Sequence, residues 1–108
     1  MRHKTMDVVL NEISTKYKID GELLFFPYQP NHVKEIRSIF YYCCRKLRVP
    51  IVEIQRYNLL KDFHCVYGTL HYGIGRIANK IKEDKVLRAE VNAIIAECTK
   101  ILTYGELQ

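Results

Sequence analysis

The stretch that decides the fold runs from Pro50 to Ile81. Residues 50–61 are PIVEIQRYNLLK, and residues 62–81 are DFHCVYGTLHYGIGRIANKI. The first part has the apolar spacing of a short helix through Tyr57 followed by a turn at residues 58–61, and the second part has the spacing of a longer helix. Two helices joined by a sharp turn are typical of a helix-turn-helix. We therefore expect this stretch to carry the function.

Other segments on both sides of this stretch have the periodicity of amphipathic helices. The predicted helices and their N-caps are residues 5–17 with Thr5, residues 32–48 with Asn31, and residues 85–104 with Asp84 before them and Gly105 after them. The apolar run 23–26 is expected to pack on the core, and no segment alternates as a β-strand would. A chain of 108 residues with this pattern is predicted to be one all-α domain, residues 1–108, of about five helices.

The second helix of the motif has two possible starts. The longer version begins with Asp62 as N-cap and continues to Ile81, and the shorter version begins only at Thr69. The longer version encloses three glycines, each of which costs about 1 kcal/mol relative to alanine in a helix interior. We expect the longer version, with the glycines allowing close approach of another backbone or of a phosphate.

Positive charge is concentrated before the turn and within it. The net charge is +5, and residues 31–61 contain seven Lys or Arg against two Glu. Such a concentration suits a polyanion such as nucleic acid. A solvated basic face without a partner is the alternative interpretation.

Several classes of protein are not favoured by the composition. There is no apolar run of about 18 residues and no signal-peptide pattern, so we expect a cytoplasmic protein that does not enter a membrane. The four cysteines include the adjacent pair Cys43 and Cys44 and are expected to be free thiols. Zinc-ligand spacing, a nucleophile with an oriented base and a phosphate-binding loop are not recognisable, so we expect no metal, no cofactor and no catalysis.

Nearly the whole chain, roughly Asp7 to Leu102, resembles the C-terminal DNA-binding domain of the bacterial chromosomal replication initiator family, DnaA. Residues 37–47 are similar to the family's "RQIAMYLARKL" helix, residues 53–54 to its "PEIG", and residues 61–66 to its "RDHTTV" signature. The resemblance implies a Trp-repressor-like helix-turn-helix domain and binding to double-stranded DNA. It also implies a role in the control of replication or transcription, with replication or transcription proteins as possible further partners.

The signature region departs from the family pattern. Lys61, Asp62 and Val66 match it, whereas residues 63–65 are Phe-His-Cys in place of His-Thr-Thr. The helix that follows is also about four residues, roughly one turn, longer than the family's. If these extra residues fall before Gly68, the segment Tyr67-Gly68-Thr69-Leu70 replaces the signature instead.

Two further departures narrow the expected function. The family's basic run before its second helix is missing, because no Lys or Arg occurs from residue 19 to residue 33. Recognition of the initiator's own box sequence is therefore not expected. No GxxxxGK[ST] sequence occurs either, so no ATP-driven chemistry is expected.

In a helix-turn-helix the N-terminal end of the second helix meets base edges in the major groove, while other cations hold phosphates. The residues predicted to read bases are Lys61, Asp62, His64 and Cys65. The residues predicted to hold phosphates are Arg45, Lys46, Arg48 and Arg56. A plain N-cap role for Asp62 is an open alternative. The alternative function is a protein–protein interaction module that has kept the fold and lost specific DNA contacts.

Overall fold

The computed structural model describes residues 2–106, and within this range the chain is all-α, without β-strands. The helices are α1 Arg2–Tyr17, α2 Asn31–Lys46, α3 Ile51–Leu60, α4 Tyr67–Glu83 and α5 Lys85–Glu106, and a 3-10 turn, Gly21–Phe25, lies between α1 and α2. The radius of gyration, 13.1 Å, matches the value of about 13 Å for one compact domain of this length. The predicted all-α domain of about five helices is confirmed.

Helix α2 lies at the centre of the fold. It packs against the other four helices, while α1 also packs against α5. Its buried side chains are Val33, Ile36, Ile39, Phe40, Tyr41, Cys43 and Cys44. The ring of Phe40 contacts the rings of Phe25, Tyr41 and Tyr57 at centroid distances of 5.7–6.0 Å. Because aromatic side chains remove large apolar areas from water, this group fixes the 3-10 turn and α3 on α2.

Three connections in the fold are closed by the same backbone device. A residue in the left-handed region follows each of three helices, directly after α1 and two positions after the end of α2 and of α3. These residues are Lys18 (φ 54°), Arg48 (φ 69°) and Asp62 (φ 58°). The next residue donates its backbone N–H to a carbonyl five positions earlier at 2.9–3.1 Å, in the pairs Ile19–Ser14, Val49–Cys44 and Phe63–Asn58. Each of these next residues is apolar and packs on the core. The apolar residue therefore anchors each turn, although the left-handed residue before it is not the glycine that is usual there.

The first half of the chain differs from the predicted boundaries at two caps. α1 begins at Arg2, so Thr5 lies inside the helix and is not its N-cap. Pro30, and not Asn31, is the N-cap of α2, because its carbonyl already accepts the N–H groups of Val33 and Lys34 at 3.0 and 3.1 Å.

The predicted roles of two other segments are largely confirmed. Leu24 and Phe25 are buried, although Phe26 in the same run is 54% exposed. The Asp84 cap is also confirmed, because its Oδ1 accepts the N–H of Leu87 at 2.9 Å.

The helix-turn-helix stretch is divided differently from the prediction. α3 continues to Leu60, beyond the predicted end at Tyr57, and the turn is formed by residues 61–66. α4 begins at Tyr67, so both predicted starts of this helix, Asp62 and Thr69, are wrong. The left-handed backbone of Asp62 belongs to the end of α3, which places the start of α4 several residues later.

The glycines of α4 fall into two kinds. A Cβ atom at Gly73 would lie 3.0 Å from Ser38 Oγ on α2, so Gly73 allows the two helices to cross closely. A Cβ atom at Gly68 or Gly75 would have nothing within 4 Å. These two glycines lie on the solvent side of α4, and the packing of the domain does not require them.

Candidate nucleic-acid interface

The turn 61–66 contains all four residues that were predicted to read bases. Asp62 completes the C-terminal turn of α3, and His64 and Cys65 follow in a segment without helical structure. Lys61 lies in the turn, as predicted, whereas the prediction that Asp62, His64 and Cys65 lie at the start of the second helix is wrong. The physical reason is that the backbone turn closed by Phe63 uses this segment to end α3 before α4 begins.

Lys61 is directed toward the scaffold. Its Nζ atom lies 3.0 Å from Glu22 Oε1. The same atom lies 5.7 Å from the ring centroid of Phe25 and 5.5 Å from that of Tyr57. The ion pair and the contact with Phe25 attach the turn to the 3-10 segment, and the contact with Tyr57 attaches it to α3, so Lys61 holds the fold in this structure.

The cations at the end of α2 have different surroundings. Arg45 Nη1 donates to the carbonyl of Val49 at 3.0 Å, which ties the end of α2 to the following connection. Lys46 Nζ lies 5.5 Å from the ring centroid of Tyr42. Arg45 and Lys46 border a shallow cleft of about 270 Å³ beside Ile74 of α4. Both are therefore placed next to α4.

The other two predicted phosphate contacts are exposed. Arg48 projects from its left-handed turn between α2 and α3. Arg56 lies on α3 with its side chain 65% exposed, and its Nη1 atom is 2.7 Å from Glu53 Oε1. An ion pair this exposed contributes little to stability, so Arg56 can exchange Glu53 for another anion at small cost.

The solvent side of α4, here called the outer face, consists of Gly68, Thr69, His71, Tyr72, Gly75 and Arg76. The opposite side buries Leu70, Gly73 and Ile77. From its first residue, α4 contains no Asp or Glu until Glu83 at its end. The outer face thus combines hydroxyl, imidazole and guanidinium groups with two positions that have no side chain.

These outer-face residues were missed by the sequence-based choice of site. The signal that could have found them was the spacing of Leu70, Gly73 and Ile77, which defines the buried side and therefore the exposed one. The alternative in which Tyr67-Gly68-Thr69-Leu70 replaces the signature agrees with the observed start of α4.

A cleft of about 360 Å³ separates α2 from the turn and from the first turns of α4. We call it the α2–α4 cleft. Its lining includes the cationic residues Lys34, Arg37 and Arg76, together with His64, Cys65 and Tyr72. Of the predicted base-reading residues, the structure therefore brings His64 and Cys65 next to α4, and it keeps Lys61 and Asp62 apart from this cleft.

A single carboxylate neutralises part of the positive charge on α4. Glu35 on α2 accepts from Lys80 Nζ at 2.8 Å through Oε2, and from Arg76 Nη1 at 3.4 Å through Oε1. All three side chains are partly exposed. Because exposed ion pairs are weak and sensitive to salt, Glu35 lowers the positive charge beside the outer face without fixing it.

Neutral groups also hold the turn. Burial raises the pKa of the Cys65 thiol and that of the Tyr41 hydroxyl, so both are protonated at neutral pH. Asn58 is fully buried, and its Nδ2 donates to Tyr41 Oη at 3.1 Å. Gln55 Nε2 donates to the carbonyl of Cys65 at 3.4 Å. Cys65 thus serves as a packed neutral side chain at the wall of the cleft.

Apolar side chains are exposed around the turn. Leu60 and Val66 are each 67% exposed, and Val52, Leu59 and Tyr67 are about half exposed. Scattered exposed apolar residues are common on monomeric proteins, whereas a group near one turn is a feature of contact surfaces.

Comparisons of this chain with models of protein families, with curated proteins and with solved structures gave no match. Among residues 2–106, the structure contains no helix whose length and apolar character would allow it to cross a lipid bilayer.

Proposed function

We propose that this protein binds double-stranded DNA and places α4 in the major groove. The observation that carries the proposal is the outer face of α4, a helix of 17 residues whose exposed side is free of carboxylates until its last residue. α3 and the turn 61–66 precede it in the order of a helix-turn-helix. In such motifs the second helix enters the groove while neighbouring elements contact the backbone.

The residues around α4 supply both kinds of contact that this function needs. Thr69 and His71 in the first turns carry groups that can donate to and accept from base edges. Lys46 beside α4 and Arg56 on α3 can hold phosphates and so position the protein without reading sequence. Gly68 and Gly75 let the helix backbone approach the floor of the groove, because no side chain separates the two surfaces.

The resemblance to the DNA-binding domain of the replication initiator family points in the same direction. It suggests a role in the control of replication or transcription. The contacts proposed here lie on α4 itself and not in the turn 61–66, so the DNA sequence recognised is expected to differ from the family's box.

Duplex binding by fluorescence anisotropy tests the proposal. The affinity for random duplex should fall steeply between about 50 and about 200 mM salt. Lys46→Gln and Arg56→Gln should each lower the slope of log affinity against log salt by about one unit. Lys100→Gln, an exposed cation on α5, is the matched control and should lower it less. Affinity no higher than that of an unrelated protein of equal charge contradicts the proposal.

Selection from a random pool of duplexes separates sequence-specific from general binding. Convergence on a motif is expected, and Thr69→Val with His71→Ala should relax that motif while the salt slope stays the same. If His64→Ala alone relaxed the selected motif to the same extent, the bases would be read by the turn 61–66 and not by α4.

The second candidate function is protein binding through the exposed apolar residues near the turn. It is favoured by the exposure of Leu59 and Leu60, which the DNA proposal does not use. Leu59→Gln together with Leu60→Gln tests this apolar surface separately from the outer face. These changes should leave duplex affinity nearly unchanged, and a loss of duplex affinity would place the apolar residues in the DNA contact.

A further inference from the structure

The α2–α4 cleft has an unusual balance of charge for a surface depression. Three permanent cations, Lys34, Arg37 and Arg76, line it, and no carboxylate is among its lining residues. Hydroxyl groups of Ser38 and Tyr41 add neutral hydrogen-bonding groups to its wall. A volume of about 360 Å³ falls in the range of small-ligand sites, roughly 300–1,000 Å³. The cleft therefore has the charge and the size for an anionic group with part of its carrier.

The first turn of α4 adds to this positive field. Val66 and Thr69 line the cleft, so the N-terminal end of the helix lies at its edge. Val66 is the N-cap of α4 and provides no side-chain hydrogen bond, and the first turn contains no acidic residue. The N-terminal end of a helix dipole favours anions, and here no side chain of the cap satisfies it.

We propose that the α2–α4 cleft is a binding site for a phosphate group, and specifically for one backbone phosphate of the DNA whose groove receives α4. This inference rests on the proposed function and assigns the cleft to one of its contacts. Lys34 supplies charge from α2, and Arg76 supplies it from α4, where its weak ion pair with Glu35 at 3.4 Å can be exchanged for a phosphate. Thr69 is at the same time a member of the outer face, so a phosphate in the cleft lies beside the base-reading surface.

Arg37 contributes to the field of the cleft but is committed to the fold. Its Nε and Nη2 atoms donate to the carbonyls of Leu24 and Phe26. Its guanidinium lies 4.5 Å from the ring centroid of Phe63. Lys34 and Arg76 are therefore the residues to test, because their side chains are at least partly exposed and their removal leaves these contacts intact.

The first experiment uses inorganic phosphate and needs no DNA. The 15N-labelled protein is titrated with sodium phosphate, and with sodium chloride at equal ionic strength, while the amide signals of Gly68, Thr69 and Gly73 are followed. We expect saturable shifts with phosphate alone, weakened roughly tenfold in Lys34→Gln with Arg76→Gln. Lys100→Gln should leave them unchanged. Equal shifts in chloride, or shifts insensitive to the double variant, overturn the site.

The second experiment measures the salt dependence of duplex binding by the same variants. Lys34→Gln should lower the slope by about one unit, and more than Lys100→Gln does. If phosphate binds as expected but duplex does not bind, the site stands with free phosphate as its ligand while both the assignment to DNA and the proposed function fail. If duplex binds and Lys34→Gln leaves the slope unchanged, the cleft proposal fails and the proposed function stands.

Discussion

Lys34 and Arg37 lie about one turn apart on α2 and line the same cleft, yet their surroundings differ. Arg37 is partly buried, donates to the carbonyls of Leu24 and Phe26, and lies over the ring of Phe63. Lys34 is exposed and makes no ion pair with any carboxylate of residues 3–105. One cation therefore holds the fold together, and the other is available to a partner.

This difference separates two sets of basic residues in the molecule. The scaffold cations donate to backbone carbonyls or, for Lys61, to a carboxylate on another element, and they are Arg37, Arg45, Lys61 and Arg88. The surface cations are exposed and have, among the described residues, at most an aromatic or acidic partner on their own helix, and they are Lys34, Lys46, Arg48 and Arg56. The local density of positive charge in the sequence consequently overstates the charge that a DNA partner would meet.

The largest expected effect acts on the scaffold and comes from pH. Burial raises the pKa of the Cys43 and Cys98 thiols from 9.0 to about 12. These thiols ionise at lower pH in the unfolded chain, so their contribution to stability is complete below pH 9 and is lost as pH rises toward 12. The expected loss is about 1.4 kcal/mol per pH unit for each thiol.

Urea unfolding followed by circular dichroism, at pH about 8 and about 10.5, measures this loss. Cys98→Ala should show a shallower dependence because one titrating thiol is gone. A free energy of unfolding that stays constant over this range would contradict the buried position of the thiols.

Arg37→Ala should produce the next largest effect. The change leaves two backbone carbonyls without their donor, and we expect it to lower the free energy of unfolding by about 2 kcal/mol. Lys34→Ala on the same helix should change it by less than about 0.5 kcal/mol. Equal losses in urea unfolding for the two variants would remove the distinction between scaffold and surface cations.

Asp62→Gly should stabilise the protein by about 1 kcal/mol, because glycine adopts the left-handed backbone at this position without steric cost. Asp62→Ala is the control and should bring no such gain. Duplex affinity of the glycine variant should match that of the unchanged protein. A fall in affinity, measured by anisotropy, would mean that the Asp62 carboxylate contacts DNA after all.

Glu35→Gln should have the smallest effect on the fold and a moderate one on binding. The ion pairs of Glu35 are exposed, so the free energy of unfolding should change by less than about 0.5 kcal/mol. Release of Arg76 and Lys80 should raise duplex affinity at low salt roughly twofold to fivefold. Glu97→Gln, which makes the same change in net charge on α5, should raise it less. Equal gains would show that only net charge matters.

Most of the fold could be predicted from the sequence because it depends on periodicity. The buried residues of α2 and α5 recur at helical spacing, and the Asp84 cap precedes α5 where its type predicts. The ends of α2 and α3 were harder to predict because their left-handed residues are Arg48 and Asp62. Glycine is the usual signal for such an end, and here the signal is the apolar residue that follows.

The candidate site was less predictable for a related reason. The sequence indicates which residues are basic, but the carbonyls that occupy Arg37 belong to Leu24 and Phe26, on a different segment of the chain. The start of α4 depended on where α3 ended, so one misplaced turn put the predicted base-reading residues in residues 61–66 and not on α4. A long-range contact decides the first point, and a left-handed residue that is not glycine decides the second.

Gly68 and Gly75 limit how far the thermal stability of this protein can be raised without changing the outer face of α4. Gly75 in the interior of α4 weakens the helix by about 1 kcal/mol relative to alanine and Gly68 in its first turn by less, and nothing within 4 Å of their missing side chains explains the choice. A thermostability screen would select alanine at both positions, and it would do so on the surface where α4 is proposed to meet the groove. A substitution that raises thermal stability on this side of α4 would therefore weaken the proposed close contact with the groove.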